Sequence, residues 1–308
     1  MPGALITGWG ASVPEKVVTN ADLAARLDTS DEWITERTGI KERRVGGSTS
    51  ELATEAGRLA LARAGLGGAE VDVLVLATTT PDATVPGTSA TVADALGVGG
   101  GAFDVNAACS GFVYALVTAH GLALAGARRI LVVGSETMSR ITDWDDRTIA
   151  VLAGDGAGAV VLEATDGPGE LLGWDLGVDG SLRHLLKADH GGYLQMNGRE
   201  IFRHAVRSVV DSSISALSRA GVAPGDVDLF VPHQANARII AAASQRLGIP
   251  DDRCVVTIDR YGNTSSASIP LALCDALDAG RLAPGAIVLL SGFGGGMTWA
   301  SAVLRWGG

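Results

Sequence analysis

Apolar residues along the 308-residue chain fall into short continuous runs rather than alternating ones. VDVLVLA (71–77), ILVVGSE (130–136), GAGAVVLE (156–163), VDLFVPH (227–233), IVLLSGF (287–293) and TWASAVLRW (298–306) read as strands buried in a sheet. AFDV (102–105) leads out of a glycine run as a further strand, and 255–259 reads as another. Helical stretches separate them. The stretch 111–125 is apolar on nearly every side, which predicts a helix buried all round. Strands alternating with helices predict an α/β protein with mostly parallel sheets.

The pattern occurs twice. LARAGLGGAEVDVLVLATT, beginning at Leu61, is echoed by LSRAGVAPGDVDLFVPHQA, beginning at Leu217, about half the chain later. AFDVNAACSGFVYAL is echoed at nearly the same offset by VTIDRYGNTSSASIPLAL, with Asp104 against Asp259. Similarity at a fixed offset predicts two copies of one unit, 1–165 and 166–308, packed face to face as layers. Alternating α/β chains resemble one another in any case, but the shared LxRAG…VD string argues for duplication. Two polar excursions interrupt the pattern, 8–76 and 164–198. The first carries DTSDEWITERTGI (28–40), with Trp33, Arg37 and Arg43 unusual for a connection.

Composition narrows the class. The 42 glycines are nearly twice the usual share of about 7%, which suits tight strand-to-helix turns. A net charge of −10 without a basic run argues against nucleic acid as a partner. Three scattered cysteines, Cys109, Cys254 and Cys274, make neither a disulfide framework nor a metal motif. No signal-peptide pattern and no membrane-length apolar run are present, so a protein of the reducing cytoplasm is expected.

Three residues sit at strand-to-helix junctions, where α/β sheets form their sites: Cys109 in NAACSGF, His233 in VPHQAN and Asn263 in YGNTSS. At a helix start the dipole and free N–H groups favour a thiolate, so Cys109 is expected to be acidified. The same reasoning keeps His233, at the start of a helix over 234–247, neutral. Each has a bland reading: a small core cysteine, a helix cap, a turn residue after Gly262. Cys, His and Asn also suit a cysteine hydrolase, in which His is a base oriented by Asn. A synthase needs both as hydrogen-bond donors to an oxyanion or enolate. The residue types alone do not decide. GFGGG (292–296) offers backbone N–H groups at close range. GDGAGA (154–159) precedes a strand rather than a helix and is not a dinucleotide fingerprint.

SDEWITERTGIKER, FDVNAACSGF, DDRTIAVLAGDGAGAVVL, MNGREIF, VPHQANARII, YGNTSSASIPLAL and GFGGGMTW span nearly the whole chain. In this order they closely resemble β-ketoacyl-acyl-carrier-protein synthase III, of the thiolase superfamily. The resemblance implies a duplicated thiolase-like fold, five layers αβαβα around two mixed, mostly parallel sheets, and a homodimer. It implies an acyltransferase of fatty acid biosynthesis that condenses an acyl-CoA primer with malonyl-acyl-carrier-protein. In that reading Cys109 takes the acyl group from CoA, and His233 and Asn263 stabilise the enolate left when malonyl loses CO₂. The backbone N–H groups of Cys109 and Gly295 match the oxyanion hole. Trp33 and Arg147 match the pair that stacks the CoA adenine, and Arg37, Gly198 and Asn236 match other positions along the CoA tunnel. No tightly bound cofactor and no metal are implied; acyl-CoA is a substrate.

Arg199, Arg203 and Arg207 recur every four residues and share a helix face. With Arg238 and Arg246 they form a candidate carrier-docking patch on an acidic chain, against the bland reading of a solvated face. The chain departs from the family pattern at Gln245, often lysine on the docking helix, and at Val85, often a phenylalanine limiting the acyl pocket. The connection 187–196 is also shorter than usual. Three rivals remain: a polyketide starter-unit ketosynthase or acyltransferase of the same fold, a cysteine hydrolase, and a non-catalytic partner subunit.

Overall fold

A computed structural model describes residues 3–307. The strands of its two large sheets are β1 (Gly3–Ser12), β2 (Val73–Ala77), β3 (Gly101–Val105), β4 (Arg129–Thr137), β5 (Asp155–Thr165), β6 (Leu171–Val178), β7 (Leu229–Pro232), β8 (Ile287–Gly294) and β9 (Thr298–Arg305). The first sheet runs β1-β5-β4-β2-β3 and the second β7-β8-β9-β6. β2 pairs parallel with both β3 and β4, and β7 with β8. β1–β5, β4–β5, β8–β9 and β9–β6 are antiparallel. The sheets are therefore mixed, with pairing more evenly divided than the sequence predicts. The reason is that β5 and β9 return directly beside β4 and β8 instead of crossing over behind the sheet.

The helices that matter here are α1 (Asp31–Thr38), α2 (Thr49–Ala64), α3 (Thr88–Leu96), α4 (Gly111–Leu124), α5 (Gly198–Ala220), α6 (Ala237–Leu247) and α7 (Ser268–Asp278). α2 and α3 cover the outer face of the first sheet, and α5 and α6 that of the second. α4 and α7 lie between the sheets, completing five layers. The central core joins Phe112 and Leu116 of α4, Ile269 and Leu273 of α7, Val132 of the first sheet and Leu290 of the second. α4 is apolar all round because it has sheet on both sides.

The repeated LxRAG string acquires a physical meaning. It ends α2 at Gly65 (φ 69°) and α5 at Gly221 (φ 66°). In each, arginine occupies the last turn and glycine takes the left-handed C-terminal cap that L-residues avoid. Each helix then turns back into a buried parallel strand, β2 or β7. The start of α2 is equally explicit: Ser48 and Glu51 form a reciprocal capping box.

One predicted strand does not form. Just before 255–259 the chain makes a single parallel bridge, Phe230 to Cys254, with Val255 N donating to Phe230 O (2.8 Å), and it then forms the short helix Ile258–Tyr261. The Gln234 side chain accepts hydrogen bonds from Thr257 N (2.8 Å) and Ile258 N (3.2 Å), so those groups are unavailable to a ladder. Leu23, Ile34 and Ile40 of the first excursion pack with Val151 and Ile258 as a satellite cluster. No helix among the described residues is long and apolar enough to cross a membrane.

Candidate active site

Between the two halves a cavity of about 870 Å³ is lined by Cys109, His233, Asn263 and Gly295 at depth and by Trp33, Arg37, Gly198, Asn236 and Arg238 toward its mouth. Met138, Ile141, Ile149, Leu186, Ile201 and Phe293 add apolar wall.

Cys109 follows β3 in a 3₁₀ turn, Ala108–Ser110, that runs into α4. Ala108 has φ 49°, a left-handed conformation that is costly for a residue with a Cβ. Ser265 has φ 48° at the equivalent place before α7. Two strained positions at matching points of the repeat mark the same device used twice, a sharp elbow that presents one side chain at a helix start. Across the elbow lies the glycine-rich end of β8. A methyl group at Gly294 would sit 2.5 Å from Cys109 N and 2.8 Å from Ala108 Cβ. Only glycine allows that approach.

The Cys109 thiol is not acidified as the sequence leads one to expect. Burial pushes it up to about 12, the Ser265 hydroxyl at 3.3 Å opposes this, and the Glu136 charge adds to the rise. Desolvation of a thiolate outweighs one hydrogen bond and a helix terminus. Glu136 is itself buried and accepts from Thr79 N (3.1 Å), Thr80 Oγ1 (2.6 Å) and Ser266 Oγ (2.8 Å). It thereby ties the loop after β2 to the elbow before α7.

His233 leaves β7 with its N–H donated to Ser291 O (2.8 Å). Its Nδ1 lies 2.6 Å from Ser268 Oγ, and its ring packs edge-on to Phe293 with centroids 5.5 Å apart. Burial pushes the imidazole down to about 3, so it is neutral across the physiological range. Neutrality was expected, but from a helix start. The helix in fact begins at Ala237 with Asn236 as its cap, leaving 234–236 as a turn, and burial is the cause. Asn263 is held by its backbone, N to Leu152 O (2.7 Å) and O from Gly154 N (3.1 Å). Its Oδ1 accepts from Ser265 N at 2.9 Å.

At the mouth, Arg37 and Arg147 lie over the Trp33 ring, 4.7 and 5.2 Å from its centroid. Arg147 is also bonded to Asp28, through its carbonyl and its carboxylate. Asn236 donates to Arg37 O (2.8 Å) and caps α6 through Arg238 N (2.9 Å). Arg238 projects over Phe202 of α5 at 5.6 Å. Arg203 and Gln245 are exposed on α5 and α6, outside the cavity lining. Val85 is 83% exposed and forms no part of its own chain's cavity. Sequence reasoning passed over Ser265, Ser268, Phe293 and Glu136. The serines stood in YGNTSSAS and the phenylalanine in GFGGG, but nothing in spacing says which of several small polar residues faces an imidazole.

Layered halves, a cysteine on a strained elbow, and a neutral histidine and an asparagine facing one apolar-walled tunnel define a thiolase-fold condensing enzyme. Residues 103–180 match 3-oxoacyl-[acyl-carrier-protein] synthase III, and residues 217–306 match the C-terminal part of the same family. The β-ketoacyl-[acyl-carrier-protein] synthase III of Roseiflexus castenholzii is 51% identical over 98% of both chains. The crystal structure of 3-oxoacyl-[acyl-carrier-protein] synthase III from Aquifex aeolicus superposes with a TM-score of 0.97 at 46% identity, covering 99% of this chain and 100% of that one. A priming β-ketosynthase of a polyketide biosynthetic pathway superposes at 0.94 with 36% identity, covering 99% and 96%. The chain belongs to the 3-oxoacyl-[acyl-carrier-protein] synthase III family.

Proposed function

We propose that this enzyme begins fatty acid synthesis by joining an acyl-CoA primer to malonyl-acyl-carrier-protein with loss of CO₂. In the first half-reaction Cys109 Sγ bonds to the thioester carbonyl carbon, the carbon–sulfur bond to CoA breaks, and the thiol proton leaves with the CoA thiol. The N–H groups of Cys109 and Gly295 hold the carbonyl oxygen as it becomes negative. In the second, malonyl loses CO₂ and its electron pair passes to an enolate that His233 and Asn263 stabilise as donors. The carbanion attacks the acyl carbon, and Cys109 departs and regains a proton. Trp33, Arg37, Gly198 and Asn236 line the path of the CoA, with Arg147 over Trp33 beside that path and the flat adenine against Trp33 and a guanidinium.

The observation that carries this reading is the neutral, buried His233 facing the same cavity as Cys109. A hydrolase base must take up a proton, which an imidazole pushed down to about 3 resists. The curated relatives at about half identity over nearly the whole chain are β-ketoacyl-[acyl-carrier-protein] synthase III enzymes, which favours the first pathway. A cytoplasmic homodimer fits as well. β3 is an open sheet edge with Phe103 38% exposed, and the exposed Val85 lies in the loop leading to Thr88 and Ser89, whose N–H groups donate to Asp104 of β3.

The two half-reactions give the test. Mass spectrometry after incubation with acyl-CoA should show Cys109 acylated in the wild type, His233→Ala and Asn263→Ala, and unmodified protein in Cys109→Ala. Malonyl decarboxylation should be lost in His233→Ala and Asn263→Ala. A His233→Ala enzyme that decarboxylates at the wild-type rate would remove His233 from the mechanism; a free acid as the only product would make the protein a hydrolase.

A further inference from the structure

We propose that Ser268 is a positioning residue whose hydroxyl donates to Nδ1 of His233 and so holds the neutral imidazole with its proton on Nε2, toward the cavity. This rests on the donor role given to His233 above and supplies its physical cause.

The argument is one of hydrogen-bond accounting. Ser268 Oγ is buried in the first turn of α7 and has two partners among the described residues, His233 Nδ1 at 2.6 Å and the backbone N–H of Gln234 at 3.2 Å. A hydroxyl has one hydrogen to give and lone pairs to receive with. The Gln234 N–H can only donate, so it takes up one lone pair. If Nδ1 also carried a proton, Ser268 Oγ would accept twice and its own hydrogen would point at nothing. A buried polar hydrogen without a partner loses its hydration and gains nothing in return. If Ser268 donates to Nδ1 instead, every group is satisfied. Nδ1 is then the acceptor, and the single proton of the neutral ring must be on Nε2.

Asn263 is fixed by the same logic. The Ser265 N–H can only donate, so the atom 2.9 Å from it is the amide oxygen, and the NH₂ group is directed away. Ser265 and Ser268 belong to one continuous turn into α7. That turn sets both site groups as donors, one through a backbone N–H and one through a hydroxyl. The edge-on contact with Phe293 then holds the ring plane.

The test is ¹⁵N NMR of histidine-labelled enzyme together with the two half-reactions. In the wild type the His233 Nδ1 signal should be that of an unprotonated nitrogen and Nε2 that of a protonated one. Ser268→Ala should mix the tautomers and lower malonyl decarboxylation by roughly tenfold to a hundredfold, as loss of a buried hydrogen bond that sets the donor does. Acylation of Cys109 should stay within about twofold of wild type, since only the second half-reaction uses the Nε2 proton. Ser268→Thr, which keeps the hydroxyl, should restore both spectrum and rate. A serine that merely packs the turn would lower thermal stability and leave the tautomer unchanged. A wild-type spectrum with Nδ1 protonated overturns the proposal even if Ser268→Ala does not fold, as does a Ser268→Ala enzyme with unchanged tautomer and rate. Full decarboxylation by His233→Ala would instead remove the donor role itself, leaving the spectrum to judge Ser268 alone.

Discussion

Cys109 Sγ lies 3.3 Å from Ser265 Oγ, a contact between the elbow of one half and the matching elbow of the other. It is the side-chain contact that works against the desolvation of a thiolate at Cys109. With the thiol pushed up to about 12, the reactive form is scarce at neutral pH and increases tenfold per pH unit until the pKa is reached. Alkylation of Cys109 by iodoacetamide, followed by peptide mass spectrometry, should therefore accelerate steadily from pH 7 upward with no plateau below about pH 9. Ser265→Ala should slow it by about tenfold or more, since a hydrogen bond to a charged group contributes roughly 1.5–3 kcal/mol. A plateau near neutral pH would show a thiolate that burial does not suppress.

The second prediction concerns carrier docking. Arg203 and Arg238 are both exposed, and Arg238 lies over the ring of Phe202, next in sequence to Arg203. Arg238 lines the cavity mouth, and Arg203 lies one turn along α5 from Arg199, which lines it too. Arg203 is already paired with Glu200 at 2.6 Å, which dilutes its share. The double variant Arg203→Glu, Arg238→Glu should raise KM for malonyl-acyl-carrier-protein about tenfold at low salt, and much less at high salt, where exposed charges are screened. KM for acyl-CoA should change little. Equal damage to both substrates would assign these arginines to the CoA path.

How much of this could be read beforehand depends on the kind of signal. The recurrence of one helix-to-strand unit was legible because helix ends demand glycine at a left-handed cap, so Gly65 and Gly221 recur before the strands that follow them. Of the three junctions read from the sequence, only that of Cys109 forms as a strand running into a helix; His233 leaves β7 into a turn and Asn263 follows a short helix, yet all three line one cavity. The strand expected at 255–259 failed because Gln234, distant in sequence, takes its backbone N–H groups. The acidity of Cys109 was misjudged because burial is a property of the packed layers, whereas a helix start is visible in a few residues. Ser268 was invisible for the same reason: its partner is an imidazole brought there by β7.

The third prediction concerns stability. Glu170 is 2% exposed, accepts from Ile6 N and Gly307 N at 3.0 Å each, and is pushed by burial from an ordinary 4.5 up to about 7. The folded state therefore holds this proton more tightly than the unfolded chain. Its contribution is full below about pH 4.5 and is lost as pH rises through about 7, amounting to about 3 kcal/mol. Glu170→Gln should flatten that part of the stability profile. It should also lower the acid-side maximum, because an amide presents one oxygen where the two N–H groups need two. Urea denaturation at several pH values between 5 and 8 reads both effects; identical slopes in the two proteins would place the titration elsewhere.

The last prediction concerns primer length. Val85 is 83% exposed in the loop between β2 and α3, near the open sheet edge β3. The resemblance implies that this loop closes the acyl pocket of the dimer partner, and a valine leaves more depth there than a phenylalanine. Each further methylene that reaches dry surface contributes about 0.8 kcal/mol, so two or three outweigh a preference for acetyl. The enzyme should accept primers longer or more branched than acetyl-CoA, and Val85→Phe should shift kcat/KM toward acetyl by about tenfold or more across an acyl-CoA series. Because the side chain makes no part of its own protomer's core, the substitution should leave thermal stability nearly unchanged, which separates a pocket effect from misfolding. A wild-type enzyme confined to acetyl-CoA and indifferent to Val85→Phe would mean that other side chains close the pocket, while the roles of Cys109, His233 and Asn263 would stand unaffected.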